Sequence, residues 1–318
     1  MEKEIMRNRN IMQPGIFRPG FDWMLVSVVF AMLLTCARPG VAQQSAPKMF
    51  SSPEEACLAL FQAAQNNDER TLANILGAGK ALTASGDEDE DKLDREGFAE
   101  KYREMHYLVQ EPDKTRILYI GAENRSFPVP LVSKNGAWRF DSETGMSEAV
   151  FRRIRSNEAM IIGAFRLLDL AQAEYYAKPH GSDSIHEYAM RFSGTRENEG
   201  LYSAGNSPIP VRLAKAANDG PAAQETPAVS FHGYYFRILT GQEKSAPGGA
   251  KSYFADGRMT GGFAFIAWPA EYRSSGVMTF IGGADGTVYE RDLGSRTAET
   301  AASMTQYNPD STWHVAEQ

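Results

Sequence analysis

The chain has 318 residues and a net charge of −7, with 33 Lys and Arg against 40 Asp and Glu. Because phosphate binding requires a basic face, this balance argues against a nucleic-acid partner. The chain contains two cysteines, Cys36 near the N-terminus and Cys57. If the N-terminal segment is removed, Cys57 alone remains, so an internal disulfide is excluded and ordinary packing must stabilise the cores. We predict that Cys57 is a small buried hydrophobe.

Residues 1–42 have the pattern of a secretory signal peptide. Arginines precede an apolar run, Trp23–Leu34, and small residues follow at Gly40–Ala42, the usual position of a cleavage site. The run is shorter than the roughly 20 residues that a spanning helix needs. We therefore expect an exported protein, periplasmic or secreted, with no spanning segment after cleavage. Two alternatives are a retained anchor and a lipoprotein attached at Cys36, although Thr35 is unusual before a lipidated cysteine.

Three helices are predicted next. Ser52 is a good N-cap, with Pro53 at the first helical position and Glu55 placed to close a capping box. A second helix begins at Asp68 and ends at Gly77. A third helix carries Phe98, Tyr102 and Met105 on one face.

The acidic run Asp87–Asp91 is predicted to belong to the loop before the third helix. It lacks the glycine and the ligand order of a calcium loop, so we interpret it as a solvated face. Three strands are predicted after that helix, and Asn135-Gly136 between the last two is a strong hairpin signal. The predicted strands are Thr115–Ile120, Phe127–Val132 and Ala137–Phe140.

Helices followed by strands indicate an α+β layer. Together with the closing GAWRFD, the opening SPEEACLALFQAAQNNDERTLANIL resembles the cone-shaped fold of the nuclear-transport-factor-two and SnoaL type, in which helices cover a curved sheet as in cystatins. The resemblance implies a helix-on-curved-sheet domain over residues 43–145. It implies a shape and not a chemistry, because such folds host both enzymes and binding modules.

A long helical pattern runs from Ser147 to Tyr176, with a new N-cap expected at Ser156 and an end before Pro179. A shorter helical pattern covers Tyr188–Phe192. The segment His232–Gly294 then alternates short β-rich runs with glycine turns, as an antiparallel meander does.

A long helix followed by a meander resembles the globular part of type IV pilins and pseudopilins, through AEYYAKPHGSDSIHEYA, GGFAFIAWP and GVMTFIGGADGTVYERD. The resemblance implies a pilin-like α+β domain over residues 146–318. A prepilin-type helix is missing at the mature N-terminus, so filament building does not follow from it.

Over the whole mature length the chain resembles the bacterial family called domain of unknown function 2950. The resemblance depends on SPEEACLAL, FPVPLV with GAWRFD, FRRIRSNE, HGYYFRILTG, GGFAFIAWPAEY and GVMTFIGGADGTVYERDLG. It implies no activity. It does imply an Asp-rich, calcium-type loop after the long helix, but the corresponding segment 178–184 has a single aspartate, so no metal is expected there.

The sequence has no nucleophile elbow, zinc-protease motif, P-loop or dinucleotide fingerprint. No catalytic residue, cofactor or metal site is therefore predicted. His180 and His186 are spaced neither as a helical nor as a zinc pair. A carboxylate pair of the glycosidase kind is spatial rather than sequential, and Glu271 and Glu290 are its candidates.

Aromatic side chains of the meander are the candidate binding site. Alternation along a strand places Tyr235 and Arg237 on one face, opposite Tyr234 and Phe236. We expect this face, with Trp268, to be covered by the long helix or to be exposed. If exposed, it could bind a glycan or a protein segment. The predicted binding residues are Tyr235, Arg237, Trp268, Glu271 and Tyr272.

The sequence thus predicts an exported, non-enzymatic binding or envelope-associated protein. One alternative is a hydrolase of a cell-envelope polymer, using an assembled carboxylate pair. A structural, pseudopilin-like subunit is the other alternative.

Overall fold

The computed structural model of the protein shows a mixed α+β fold. It describes residues 48–77, 82–85, 88–180, 184–194, 200–203, 207–218 and 229–317. The predicted signal peptide and the alternative lipidation site at Cys36 lie outside these residues. The predicted boundary between residues 145 and 146 falls within a helix, described below, and the division into two domains stays a prediction.

The first three helices are α1 (Pro53–Gln65), α2 (Glu69–Leu76) and α3 (Glu88–Glu104). The predicted caps are confirmed: the hydroxyl of Ser52 accepts a hydrogen bond from the Glu55 amide at 3.1 Å, and the Asp68 carboxylate accepts one from the Thr71 amide at 2.9 Å. The Glu55 carboxylate reaches back to the amide of Ser51, one residue before the expected partner. Gly77 ends α2 with a φ of 69°.

The first sheet has the order β1-β2-β4-β5, with β3 paired to β2. Its strands are β1 (His106–Gln110), β2 (Arg116–Ile120), β3 (Arg125–Ser126), β4 (Leu131–Lys134) and β5 (Ala137–Phe140). The predicted hairpin turn between β4 and β5 is confirmed, since Asn135 and Gly136 both have positive φ, 54° and 82°. Cys57 is buried in the core between this sheet and the helices, and burial raises the pKa of its thiol to about 12.

Three predictions for this region were wrong. The acidic residues from Glu88 onward form the first turn of α3 and not a loop, because carboxylates near a helix N-terminus interact favourably with its dipole. Met105 lies beyond the end of α3, and the chain after it forms the unpredicted strand β1, which pairs with β2 along its whole length. The predicted strand Phe127–Val132 is shifted, since β4 begins only at Leu131.

The long helix α4 spans Ser142–Tyr176 without interruption. The predicted second start at Ser156 is wrong, because this side chain is exposed on a continuous helix and caps nothing. Gly145 allows the first turn to approach the first sheet, since a Cβ there would lie 2.7 Å from the Val129 Cα.

The segment after α4 contains helix α5 (Val211–Asn218), which the sequence pattern did not predict. The predicted helix over 188–192 is wrong. That stretch is irregular, although Ala189 and Phe192 are buried. Its backbone is held by a side chain of α4, since Gln172 both donates to the Ala189 carbonyl and accepts from its amide.

The predicted meander is confirmed as an antiparallel sheet with the order β15-β13-β12-β11-β6. Its strands are β6 (Tyr234–Leu239), β11 (Ala264–Pro269), β12 (Met278–Gly283), β13 (Val288–Asp292) and β15 (His314–Val315). Short strands flank it: β7 (Gly241–Gln242), β8 (Lys251–Ser252), β9 (Phe254–Ala255), β10 (Arg258–Met259) and β14 (Gln306–Tyr307). A 3₁₀ turn, Gly294–Arg296, leads into helix α6 (Thr297–Ser303).

Helices cover both faces of this second sheet. Phe165 of α4 packs edge-on against Phe265, with ring centroids 6.5 Å apart. The opposite face packs against α6, which contacts β11. Within the described part of the chain, no helix combines the length and the apolar character that crossing a bilayer requires.

Candidate functional site

A cavity of about 550 Å³ lies between the first three helices and α4. Residues of α1, α2 and α3, of the segment 82–85, of β3 and of α4 line it. His232, at the turn before β6, also reaches it. Its volume lies within the range of about 300–1,000 Å³ that is usual for small-molecule sites.

The wall of the cavity is largely apolar. The lining includes Leu60, Leu72, Leu76, Phe98, Phe127 and Val150. At its mouth, Leu93 of α3 and Met160 of α4 remain 60% and 48% exposed. Large apolar side chains that face both a cavity and solvent mark a surface that a ligand would cover.

A carboxylate–histidine pair forms one end of the cavity. The Glu90 carboxylate lies 2.8 Å from Nδ1 of His232, and the two side chains are only 12% and 26% exposed. Both residues line the cavity.

The turn that carries His232 has an unusual residue for its geometry. Phe231 and Tyr234 exchange backbone hydrogen bonds across a two-residue turn, and His232 and Gly233 both have positive φ, 47° and 69°. Asn-Gly and similar pairs dominate turns of this kind, and a left-handed conformation costs other residues about 1–2 kcal/mol. The turn fixes the backbone of His232 where its imidazole can contact Glu90.

Gly233 is required for a second reason. A Cβ there would lie 2.5 Å from the Cβ of Ser275. Asn157 of α4 donates to the Ser275 carbonyl at 2.9 Å, and Arg153 donates to the neighbouring Ser274 carbonyl at 3.2 Å. The turn before β6 and the loop after β11 thus pack together against α4.

Two further carboxylates stand beside Glu90 on α3. Asp91 is buried and accepts the Ser85 amide at 2.7 Å. Asp94 keeps contact with solvent, yet desolvation by the surrounding protein raises its pKa, and the charges of Glu90 and Asp91 add to that rise. His232 and Arg153 oppose the rise.

Several arginines also line the cavity, and some of them donate hydrogen bonds to the segments that form it. Arg95 is buried and donates to the side chain of Asn67. Arg152 donates to the backbone carbonyl and the hydroxyl of Ser126 on β3. Arg212 of α5 also lines the cavity.

Arg125 of β3 differs from these. It lines the cavity and is exposed. Within the described residues its guanidinium makes no hydrogen bond or ion pair; the nearby Glu123 carboxylate is bonded to Lys101 instead, and that hydrogen bond, helped by the charge of Arg125, lowers the pKa of Glu123.

The two ends of the cavity are separated along both helices that bound it. On α3, Glu90 contacts His232, whereas Phe98 contacts Phe127 beside β3, at a centroid distance of 5.6 Å. The helical rise places these two α3 residues about 12 Å apart. On α4, Arg152 contacts β3 and Asn157 contacts the loop beside the turn. The carboxylates and His232 therefore lie at one end and Arg125 at the other.

The sequence-predicted aromatic residues lie elsewhere, on the second sheet. Tyr235 and Trp268 are neighbours, with ring centroids 6.1 Å apart, and the Arg237 guanidinium lies 5.8 Å from the Trp268 ring. Arg237 donates to the carbonyls of Ala301, Ala302 and Met304 at the end of α6. This face is therefore not under the long helix: α6 and the residue after it cover part of it, so that Trp268 is only 4% exposed while Tyr235 and Arg237 stay partly exposed.

The other predicted residues lie near that sheet's edge. Glu271 is exposed, and the Tyr272 hydroxyl donates to the Asp292 carboxylate at 3.1 Å. Glu290 is half-buried on β13, and desolvation, with the charge of Glu158 next, raises its pKa. Neither of the two cavities described for this structure, the one above and a shallow one near β8, is lined by any of these residues.

Sequence reasoning missed the cavity residues because their proximity is tertiary. Glu90 and His232 are 142 positions apart. One local signal was available: a histidine followed by glycine at a position where two-residue turns favour asparagine.

Searches of the curated proteins and of the solved structures gave no significant match to the chain. A family model described as "Protein of unknown function (DUF2950)" matches residues 47–316, which covers most of the sequence. The chain belongs to this family.

Proposed function

We propose that this protein binds a small amphiphilic molecule in the cavity between α3 and α4 and does not transform it. The observation that carries the proposal is the apolar wall of a cavity large enough for such a ligand. The exposed Leu93 and Met160 at its mouth support it, since binding would remove their apolar surface from water.

A neutral fluorescent probe tests the proposal directly. N-phenyl-1-naphthylamine becomes fluorescent in apolar sites, and we expect saturable binding to the wild-type protein. Ser156→Phe places a ring at the cavity wall and should weaken binding roughly tenfold or more. Ala159→Phe adds the same ring to an exposed position of α4 outside the lining and should leave binding unchanged. Equal affinities for the two variants would contradict the proposal.

A hydrolase of a cell-envelope polymer is the second candidate. The cavity supports it through Glu90 and Asp94, and not through Glu271 and Glu290, which the sequence suggested. Glu90 is paired with His232, while the pKa of nearby Asp94 is raised. A carboxylate whose pKa is raised, with a second carboxylate close by, is a common arrangement in general acid–base catalysis. Chromogenic glycosides and esters test it: turnover that disappears in both Glu90→Gln and Asp94→Asn, with probe binding retained, would establish the enzyme.

We propose further that the protein is exported and works in the periplasm or outside the cell, free or associated with the envelope. The residue pattern of 1–42 supports this. N-terminal sequencing of the protein from the producing cell is the test, and a mature chain beginning at Gln43 is the expected result. A lipid on Cys36 would instead indicate an anchored protein.

The two resemblances of fold noted from the sequence are also proposals. We propose a cone-like arrangement for the first helices and sheet, and a pilin-like one for α4 with the second sheet. If the likeness to pseudopilins extended to assembly, the purified protein would form oligomers, so a monomer in light scattering would count against a structural subunit.

The sheet face of Tyr235 and Arg237 stays an alternative site for a glycan or protein, and Tyr235→Ala should weaken such binding.

A further inference from the structure

We infer that the ligand of the cavity is a free amphiphilic anion, whose head group binds Arg125 and whose apolar chain extends along the wall toward the Glu90–His232 end. This inference deepens the proposed function and depends on it. It names the charge of the ligand and the direction in which the ligand lies.

The position of the head group is inferred from which arginines of the cavity already have hydrogen-bond acceptors in the protein. Arg95, Arg152 and Arg153 already donate to protein acceptors, namely Asn67, Ser126 and Ser274, in that order. Arg125 has no such acceptor within the described residues: it is exposed and lines the cavity, and its acidic neighbour Glu123 is bonded to Lys101. A guanidinium is the side chain best suited to carboxylate and phosphate groups, because its parallel N–H donors match two oxygens at once.

The opposite end would repel an anion. Glu90, Asp91 and Asp94 lie on consecutive turns of α3 there, and all three line the cavity. Like charges within a few ångströms disfavour one another, most strongly where solvent is partly excluded. His232 and Arg153 offset part of this charge at Asp94, but both already have acceptors, Glu90 and Ser274, so an anionic head at that end would still meet three carboxylates.

The wall between the ends fits an alkyl chain. Leu60, Leu72, Leu76 and Val150 line it, and the helical separation of the two ends is about 12 Å along α3. A short or medium acyl chain can extend between them.

Three probes that share a ten-carbon chain test the charge. Decanoate, decanol and decylamine are titrated below their aggregation limits against protein loaded with N-phenyl-1-naphthylamine. Decanoate should displace the dye most strongly, about tenfold better than decanol, because its carboxylate forms charge-assisted hydrogen bonds that a hydroxyl cannot. Decylamine should bind least well.

Arg125→Gln should remove the advantage of decanoate and leave decanol unchanged. The decanol affinity thereby also shows that the variant is folded. Arg155→Gln is the matched control, since Arg155 is an exposed arginine of α4 outside the lining and should alter none of the three affinities.

The outcomes separate the two proposals. Equal affinities for decanoate and decanol, or an Arg125→Gln variant that keeps the preference for decanoate, would overturn the head-group assignment while the cavity remained a binding site. No displacement by any probe, together with no dye binding, would overturn the proposed function itself. Sedimentation with phosphatidylglycerol vesicles, and no binding of soluble decanoate, would show a membrane head group as the source of the anion and so overturn the assignment to a free molecule.

Discussion

The imidazole of His232 and the carboxylate of Glu90 meet at 2.8 Å, although 142 positions separate them in the chain. The contact joins the turn before β6 to the first turn of α3. It requires a histidine in a left-handed conformation, where asparagine or glycine is the usual residue.

We expect His232→Asn to be more stable than His232→Ala by about 1 kcal/mol, because both variants lose the imidazole and only asparagine suits a positive φ. Urea unfolding of the two variants measures the difference. Equal free energies of unfolding would show that the turn is not strained by its side chain.

Substitution of Gly233 should be costly for two separable reasons. Its φ of 69° disfavours a side chain, and a Cβ would lie 2.5 Å from that of Ser275. Gly286 has a similar φ of 72°, but no atom lies within 4 Å of its Cβ position. Gly233→Ala should therefore lose more stability than Gly286→Ala, by about 1–3 kcal/mol, in thermal or urea unfolding. Equal losses would mean that the turn before β6 relaxes away from the clash.

Glu158 should hold the start of β12 to α4. Its Oε1 accepts hydrogen bonds from the amides of Val277 and Met278, both at 2.9 Å. Glu158→Ala should lower the free energy of unfolding by about 1–3 kcal/mol, since two amides lose a charged acceptor. Hydrogen exchange should speed up at these two amides first, and unchanged exchange there would contradict the assignment.

Asp169 should make stability depend on pH. Burial, with the charge of Asp285 next, raises the pKa of its carboxyl from 3.8 to about 7 in the folded protein. The folded state therefore holds a proton that the unfolded state releases, so this group lowers stability progressively as the pH rises from about 4 to 7. Below that window the group imposes no penalty.

Asp169→Asn removes the titration. The variant should match the wild type near pH 4 and exceed it by about 1–2 kcal/mol at pH 8, a range that allows for partial solvent screening. Urea unfolding at both pH values checks this. A constant difference between the proteins across the window would show that the carboxyl does not titrate there. Asp285→Asn should give a smaller gain in stability at pH 8, since it removes the charge of Asp285 but leaves the Asp169 carboxyl buried.

The sequence predicted those features that depend on contacts between residues close together in the chain. Ser52, Asp68 and Gly77 mark helix ends through hydrogen bonds within four residues, and Asn135-Gly136 specifies its own turn. The strands of the meander were recognised because glycine turns delimit them.

Features set by tertiary contacts escaped prediction. Ser156 resembles a helix start, but packing on both sides of α4 keeps the helix continuous. The cover over Trp268 depends on Arg237 reaching the carbonyls at the end of α6, across more than sixty positions. The acidic turn of α3 looked like a solvated surface, since nothing nearby in sequence reveals that His232 faces it.

The continuity of α4 has a consequence for how the cavity can work. Its first turn packs on Val129 through Gly145, and Phe165, about one and a half turns beyond Met160, the last residue of α4 in the cavity lining, packs on Phe265. The same continuous helix thus lies against both hydrophobic cores and also lines the cavity. A hinge between the two halves would have to bend this helix, so we expect the proposed ligand to enter and leave through rotation of side chains at the mouth, such as Leu93 and Met160.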